Sequence, residues 1–392
     1  AGDNLRTGSN NICIGNFTNA SASDVSNEIT LGNSSTTKFR IPGLNFSIKD
    51  STATDNYVLT VDANGDAGWE AAGGTSTGET YVKLKDSNGS ASNSGTNTYA
   101  GYLAGAALGS GGNENTFYGA NAGNAVVGGQ SNTAIGYSAL DSATSGSKNV
   151  AIGYYALYAN TTPDGLTAIG YEALKANTTG TDNTAIGYQA GDGITTGTQN
   201  VCIGVNAGSA ITTVSHCVFI GKDSGQYATG NGNTGIGLDA LRSATGTSNT
   251  AVGIRAGDAL TSAGECTFFG RDAGGGVTTG SENTAIGAET MMAAVTGTKN
   301  TVVGRDGLRA LTSGHSNNGL GSDVIRKVTS GYNNVGFGTS AGFNLTTGYD
   351  NIAIGKNALY TETTGNGNIA IGSEAFKLLA NESTNNVAIG NG

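Results

Sequence analysis

NTAIG occupies residues 132–136, and seventeen residues later the chain reads NVAIG at 149–153. The pentapeptide returns as NTAIG at 183–187, NVCIG at 200–204, NTAVG at 249–253, NTAIG at 283–287, NIAIG at 351–355 and NVAIG at 386–390. Its closing glycine is a landmark that steps from Gly119 and Gly136 down to Gly372 and Gly390, mostly 17 residues apart, with two intervals of 16 and a last one of 18. Gly15 and Gly32 carry the same unit in NICIG and EITLG, and Gly101 opens the main array. Self-similarity at a short fixed period predicts stacked coils.

Around each landmark the residues alternate. Ile135, Ile152, Ile169 and Ile186 precede the glycine, Thr133, Val150 and Thr184 stand two earlier, and Ala134, Ala151, Ala168 and Ala185 lie between. Period-two patterning rich in β-branched residues predicts a strand. A second apolar stretch, YSAL at 137–140, YYAL at 154–157 and YEAL at 171–174, predicts a second strand. Turns such as Thr178-Thr179-Gly180 close the unit. The fold class is therefore all-β: a β-solenoid, or β-roll, of about 17-residue coils rising roughly 4.8 Å each, so that the main array is about 80 Å long. The Asn that opens most motifs, among them Asn132, Asn149 and Asn183, predicts an amide ladder between coils, with Leu166, Cys217 and Cys266 as exceptions.

So small a coil should enclose only slender side chains. The column Tyr137, Tyr154, Tyr171, Tyr188 and the column Leu140, Leu157, Leu174, Leu241, Leu308 then exceed what one coil can hide. Packing three coils about an axis would cover them, so a parallel homotrimer is expected.

Three regions follow from the period. Residues 1–40 hold N-terminal solenoid coils, 41–96 a small β-rich insert or collar with linkers, and 97–392 the main shaft. In the collar, Tyr57–Val61 and Tyr81–Lys85 alternate as strands, Asp62–Gly65 reads as a hairpin turn, and Trp69 is the single tryptophan. The chain opens on Ala1 and closes on Asn391-Gly392, which suggests processing or truncation at both ends.

Composition narrows function. The chain has 392 residues, 66 of them Gly, with only 12% charged and a net charge of −10. Gly without a three-residue period excludes collagen. An acidic chain without clustered Lys and Arg is a poor nucleic-acid binder, and no apolar run reaches the roughly 20 residues of a membrane span. Cys202 and Cys217 lie on adjacent coils but offset by two residues, about 8 Å apart and beyond disulfide reach. The four cysteines are therefore read as free, buried, small apolar residues, and no metal-ligand spacing joins them to His216 or His315.

One column invites a chemical reading. Glu172, Asp223, Asp239, Asp272, Glu289, Asp306, Asp323 and Glu374 follow the landmark by two residues, interrupted by Arg255. Stacked carboxylates could bind a divalent cation or act as a glycosidase pair. A solvated outer face, relieved by Lys222, Arg271, Arg305 and Lys356, is the plainer reading. No catalytic, cofactor-binding or metal-binding residue is assigned, and no enzyme activity or cofactor is expected. Asn160-Thr161-Thr162 and Asn177-Thr178-Thr179 are glycosylation sequons in equivalent turns.

The NxAIGxxAL units resemble the left-handed β-roll repeats of trimeric autotransporter adhesin heads, whose repeat is shorter. Over 100–392 they are more similar to phage tail fibre and related virion fibre proteins with tandem NTAIGYxALxxNTTG repeats. The resemblance implies left-handed coils and a trimeric fibre shaft, located on a virion or otherwise extracellular. Its partners would be tail or baseplate proteins and a host surface glycan or other receptor, met through repeated Thr, Asn and Tyr side chains. A bacterial surface adhesin or self-assembling extracellular filament is the alternative. An ice-binding solenoid fits poorly, because the threonines are adjacent pairs at turns.

Overall fold

A computed structural model describes residues 97–109 and 111–392 in full, together with the strands Ile12–Ile14, Ile29–Leu31, Tyr57–Val61 and Ala67–Ala71 as backbone. The chain divides into two units, Ala1–Gly78 and Glu79–Gly392, a boundary ahead of the expected start of the shaft at 97. In the first, Ile12–Ile14 pairs in parallel with Ile29–Leu31 at a 17-residue offset (Ile12 against Ile29), as one coil upon the next requires. Tyr57–Val61 pairs antiparallel with Ala67–Ala71, a hairpin that contains Trp69. The expected strand at Tyr81–Lys85 and the linkers lie outside the described residues.

The second unit is a β-solenoid. Its eighteen strands run from Thr98–Ala100 to Val387–Ile389, and each pairs in parallel with the next in sequence. Thr133 faces Val150, 17 residues on, whereas Val218 faces Thr234 at 16 and Ile369 faces Val387 at 18. Turns absorb the irregular intervals. A one-residue slip in a strand would turn its inward side chain outward, so register holds there.

Each coil has one strand, not two. The YSAL stretch is a run of turns in which the second and fourth residues take left-handed conformations, Ser138 at φ 50° and Leu140 at φ 55°. Apolar pattern without strand geometry arises because the coil must reverse within a few residues. The ladder between coils still continues through it: Gly123 N–H bonds Ala139 O at 2.9 Å and Leu140 N–H bonds Ala156 O at 2.9 Å. The landmark glycines make close stacking possible. Gly287 has φ +127°, and a Cβ there would stand 2.6 Å from Gly304 O.

The interior also differs from expectation. Leu140, Leu157, Leu174, Leu241 and Leu308 are fully buried within the coil rather than forming an outer stripe. Room for them comes from the middle strand residue, which is Ala134, Ala151, Ala168 or Gly235 on four of those coils. Where that residue is Phe117, Phe219 or Phe268, the leucine position is Gly123, Gly225 or Gly274, and a Cβ on each of these glycines would run into the phenylalanine ring. On these coils one large side chain fills one of two facing positions, whereas on the coil of Ala185 and Gly191 both are small and Ile194 fills the space instead. Close packing demands this, since neither a void nor an overlap is cheap.

The outer strand residues have no such cover. Thr133 and Ile135 flank buried Ala134 and face away from the core, and so it goes along the stack. Phe269 is 57% exposed, Phe337 52% and Leu320 40%. The result is one outward sheet face carrying mostly Thr, Val, Ile, Phe and Leu.

Candidate functional surface

The asparagine column is structural. Asn132, Asn149, Asn200, Asn300 and their equivalents are completely buried. Each Oδ1 accepts the backbone N–H of the next residue in the column, as Asn300 Oδ1 does from Asn317 at 3.0 Å. Each Nδ2 donates to a turn carbonyl of the following coil, as Asn300 does to Gly314 O at 2.9 Å. These side chains cannot reach a receptor, which corrects their place in the expected contact surface. Cys217 and Cys266 imitate the amide. Their thiols approach Gly230 O at 3.5 Å and Gly280 O at 3.4 Å, the positions Nδ2 would serve. Burial pushes both thiols up, while the N–H groups of Asn233 and Asn283 directed at sulfur hold the rise back. Cys202, deeper still, is pushed up to about 12 by burial and packs as a core residue. All three are free, and Cys202 stands opposite Phe219, two residues from Cys217.

Asn160 and Asn177, the sequon asparagines, are also completely buried, so the folded coil offers neither to a glycosyltransferase. The first threonine of each turn pair is occupied as well. Thr161 Oγ1 donates to Thr178 O at 3.0 Å and Thr178 Oγ1 to Thr195 O at 3.1 Å. The second threonines, Thr162, Thr179, Thr196 and Thr213, stay exposed.

The acidic column is only partly solvated: most of its carboxylates are half-buried, and its middle is closed over by arginines. Asp272 and Asp306 are only 5% exposed, and arginines take up their oxygens. Arg255 reaches Asp272 at 2.7 Å, and Arg271 joins Asp272 and Glu289 at 2.6 Å each. Arg309 joins Glu289 at 3.3 Å to Asp306 at 2.6 Å, and Arg326 continues to Asp323 at 3.4 Å. Arg255 beside Asp272 holds its carboxyl below the usual range. Carboxylates so engaged have little capacity left for a cation, and no cluster of three metal-ligating side chains occurs among the described residues. His216 and His315 are exposed in turns on coils that do not touch, and His315 stacks on Tyr332 with ring centroids 5.0 Å apart.

The exposed aromatic surface lies beside the sheet face. Tyr137, Tyr154, Tyr171 and Tyr188 stack with centroids 5.2 to 5.4 Å apart and nearly parallel planes. Stacked rings cover one another's faces and leave edges and hydroxyls to solvent. Tyr155 and Tyr158 are tilted by 59° to each other, with Lys175 Nζ 5.5 Å from the Tyr155 centroid. Lys175 also pairs with Glu172 at 2.6 Å and holds its carboxyl down. On the next coil Asp192 is pushed up to about 6, chiefly by burial and then by the Glu172 charge.

Comparison of the chain with protein-family models, curated proteins and solved structures returns no match. Among the described residues no helix is long and apolar enough to cross a membrane.

The sequence reading missed the outward sheet face. Its signal was present: small residues between large ones mean that the large ones point away from a narrow interior.

Proposed function

We propose that this chain is the shaft of a homotrimeric adhesive fibre carried on a virion, with extracellular exposure and contact with a host surface. The supporting observation is the outward sheet face. Eighteen strands at about 4.8 Å give roughly 80 Å of height, and three residues give about 10 Å of width. Its area is therefore on the order of 800 Å², the share one partner contributes to a standard stable interface. A face this apolar and this tall is unfavourable in water. Two further copies of the same chain would cover it along its whole length, because only an equally periodic surface matches its spacing. The virion setting, with attachment to tail or baseplate proteins, rests on the motif resemblance. Receptor contact falls to the tyrosines and the second threonines, which recur along the rod. Multivalency would compensate for weak single contacts with a surface glycan.

Light scattering after size exclusion, with an unheated SDS gel alongside, tests the assembly. A discrete trimer is expected. A monomer would overturn the fibre reading, and open-ended polymers would favour a self-assembling filament instead. Binding of the trimer to host cells, lost on removal of surface polysaccharide, tests the adhesive role.

A further inference from the structure

The amide ladder is broken once without a substitute. Cysteine stands in at 217 and 266, but Leu166 offers neither donor nor acceptor. In an intact step, Asn132 Nδ2 donates to Gly146 O at 2.8 Å and Asn132 Oδ1 receives Asn149 N–H at 3.0 Å. The groups that Leu166 should serve are Gly180 O and Asn183 N–H. Neither finds a partner, and the Asn183 side chain bonds elsewhere, to Gly197 O at 2.7 Å.

The same two coils hold a second irregularity. Asn160 and Asn177 occupy a core column filled on neighbouring coils by Val126, Ala143, Ile194 and Ile211. Both are fully buried, and none of their four side-chain polar atoms is bonded. The two irregularities adjoin. Asn177 Nδ2 and Asn183 Nδ2 lie 2.9 and 3.0 Å from the point where a Cβ on Gly180 would sit.

Unpaired donors here are two amide NH₂ groups and one backbone N–H; unpaired acceptors are two amide oxygens and one backbone carbonyl. A cation would meet the N–H groups and an anion the carbonyls, whereas water donates and accepts. Buried polar groups in native proteins are satisfied, and ordered water commonly does it. We propose that the coils spanning 154–187 enclose an internal hydration site, in which ordered water bridges the amides of Asn160 and Asn177 to Gly180 O and Asn183 N–H. The site does not depend on the assembly state or on receptor binding.

Magnetic relaxation dispersion of water ¹⁷O on the full chain counts long-lived internal waters. The double variant Asn160→Val/Asn177→Ile carries the residue types that nearby coils place in this column. The wild type should exceed it by at least one water, and equal counts would overturn the proposal. Should the variant not fold, a crystal structure of the wild type at water-resolving resolution decides. Density within hydrogen-bond distance of both amides supports the site. Empty density, or a direct Asn160–Asn177 amide bond, refutes it.

Discussion

At the residue scale, one asparagine serves three coils. Asn300 N–H and Nδ2 both meet Asn283 Oδ1, at 3.0 and 3.1 Å, while its own Oδ1 receives two bonds from Asn317. Asn300→Ala leaves Asn317 N–H and Gly314 O buried and unpaired, which should cost about 2–6 kcal/mol at about 1–3 kcal/mol per lost group. Asn300→Cys should cost roughly half as much, since a weakly bonding thiol already serves at Cys217 and Cys266. Urea denaturation of both variants checks this, and equal losses would show that sulfur is no substitute. Asp192 makes a pH-dependent case. Its carboxyl sits near 6 in the fold against an ordinary 3.8, so its neutral form is the one the fold favours. Its penalty is absent below about pH 4, grows as pH rises through 6, and is complete above that. Asp192→Asn should stabilise by about 1 kcal/mol at pH 8, after discounting for the solvent that half-reaches the group, and by nothing at pH 3.5. Melting curves at the two pH values would show a constant difference if the reading were wrong.

At the element scale, facing positions within a coil can exchange volume. Phe268 faces Gly274 on one coil, and Ala285 faces Met291 on the next. Phe268→Ala alone should cost about 3–5 kcal/mol by opening a cavity. Gly274→Leu alone should clash with the Phe268 ring. The double variant should recover most of the loss, because leucine is already accepted at φ 55° in the Leu140 position. Additive losses in a double-mutant cycle would sink the idea of shared volume. This pairing was legible in the sequence, where every strand phenylalanine at 117, 219 and 268 is followed six residues later by glycine. The single strand per coil was not legible. YSAL has strand-like composition, and only the closure of a small coil forces Ser138 and Leu140 into left-handed turns.

On the scale of the whole molecule, each coil of the described solenoid touches mainly its neighbours, so stability propagates as a sum of steps. An open ladder of this kind exposes a long sheet face, which the proposed assembly would cover. Phe269→Glu combined with Phe337→Glu places two charges on that face without disturbing the inward residues Phe268 and Gly336. The trimer expected for the wild type should fall to monomers by light scattering, while the β signal in circular dichroism persists. A trimer that survives both charges would move the interface to another side of the coil.

The sequence by itself determined the period, the parallel stacking, the strand at each NTAIG motif and the amide ladder. These are local and repeated, so each coil states them again. The tertiary structure decided which side each column faces. Leu140 and Ile135 are both large and apolar, yet one is enclosed and the other looks outward. The direction depends on the left-handed turn after Gly136, which rotates the chain in a way that hydrophobicity does not encode. Three-dimensional packing also drew the arginines onto the acidic column and buried Asn160 and Asn177, because residues seventeen apart become neighbours only when the coils stack.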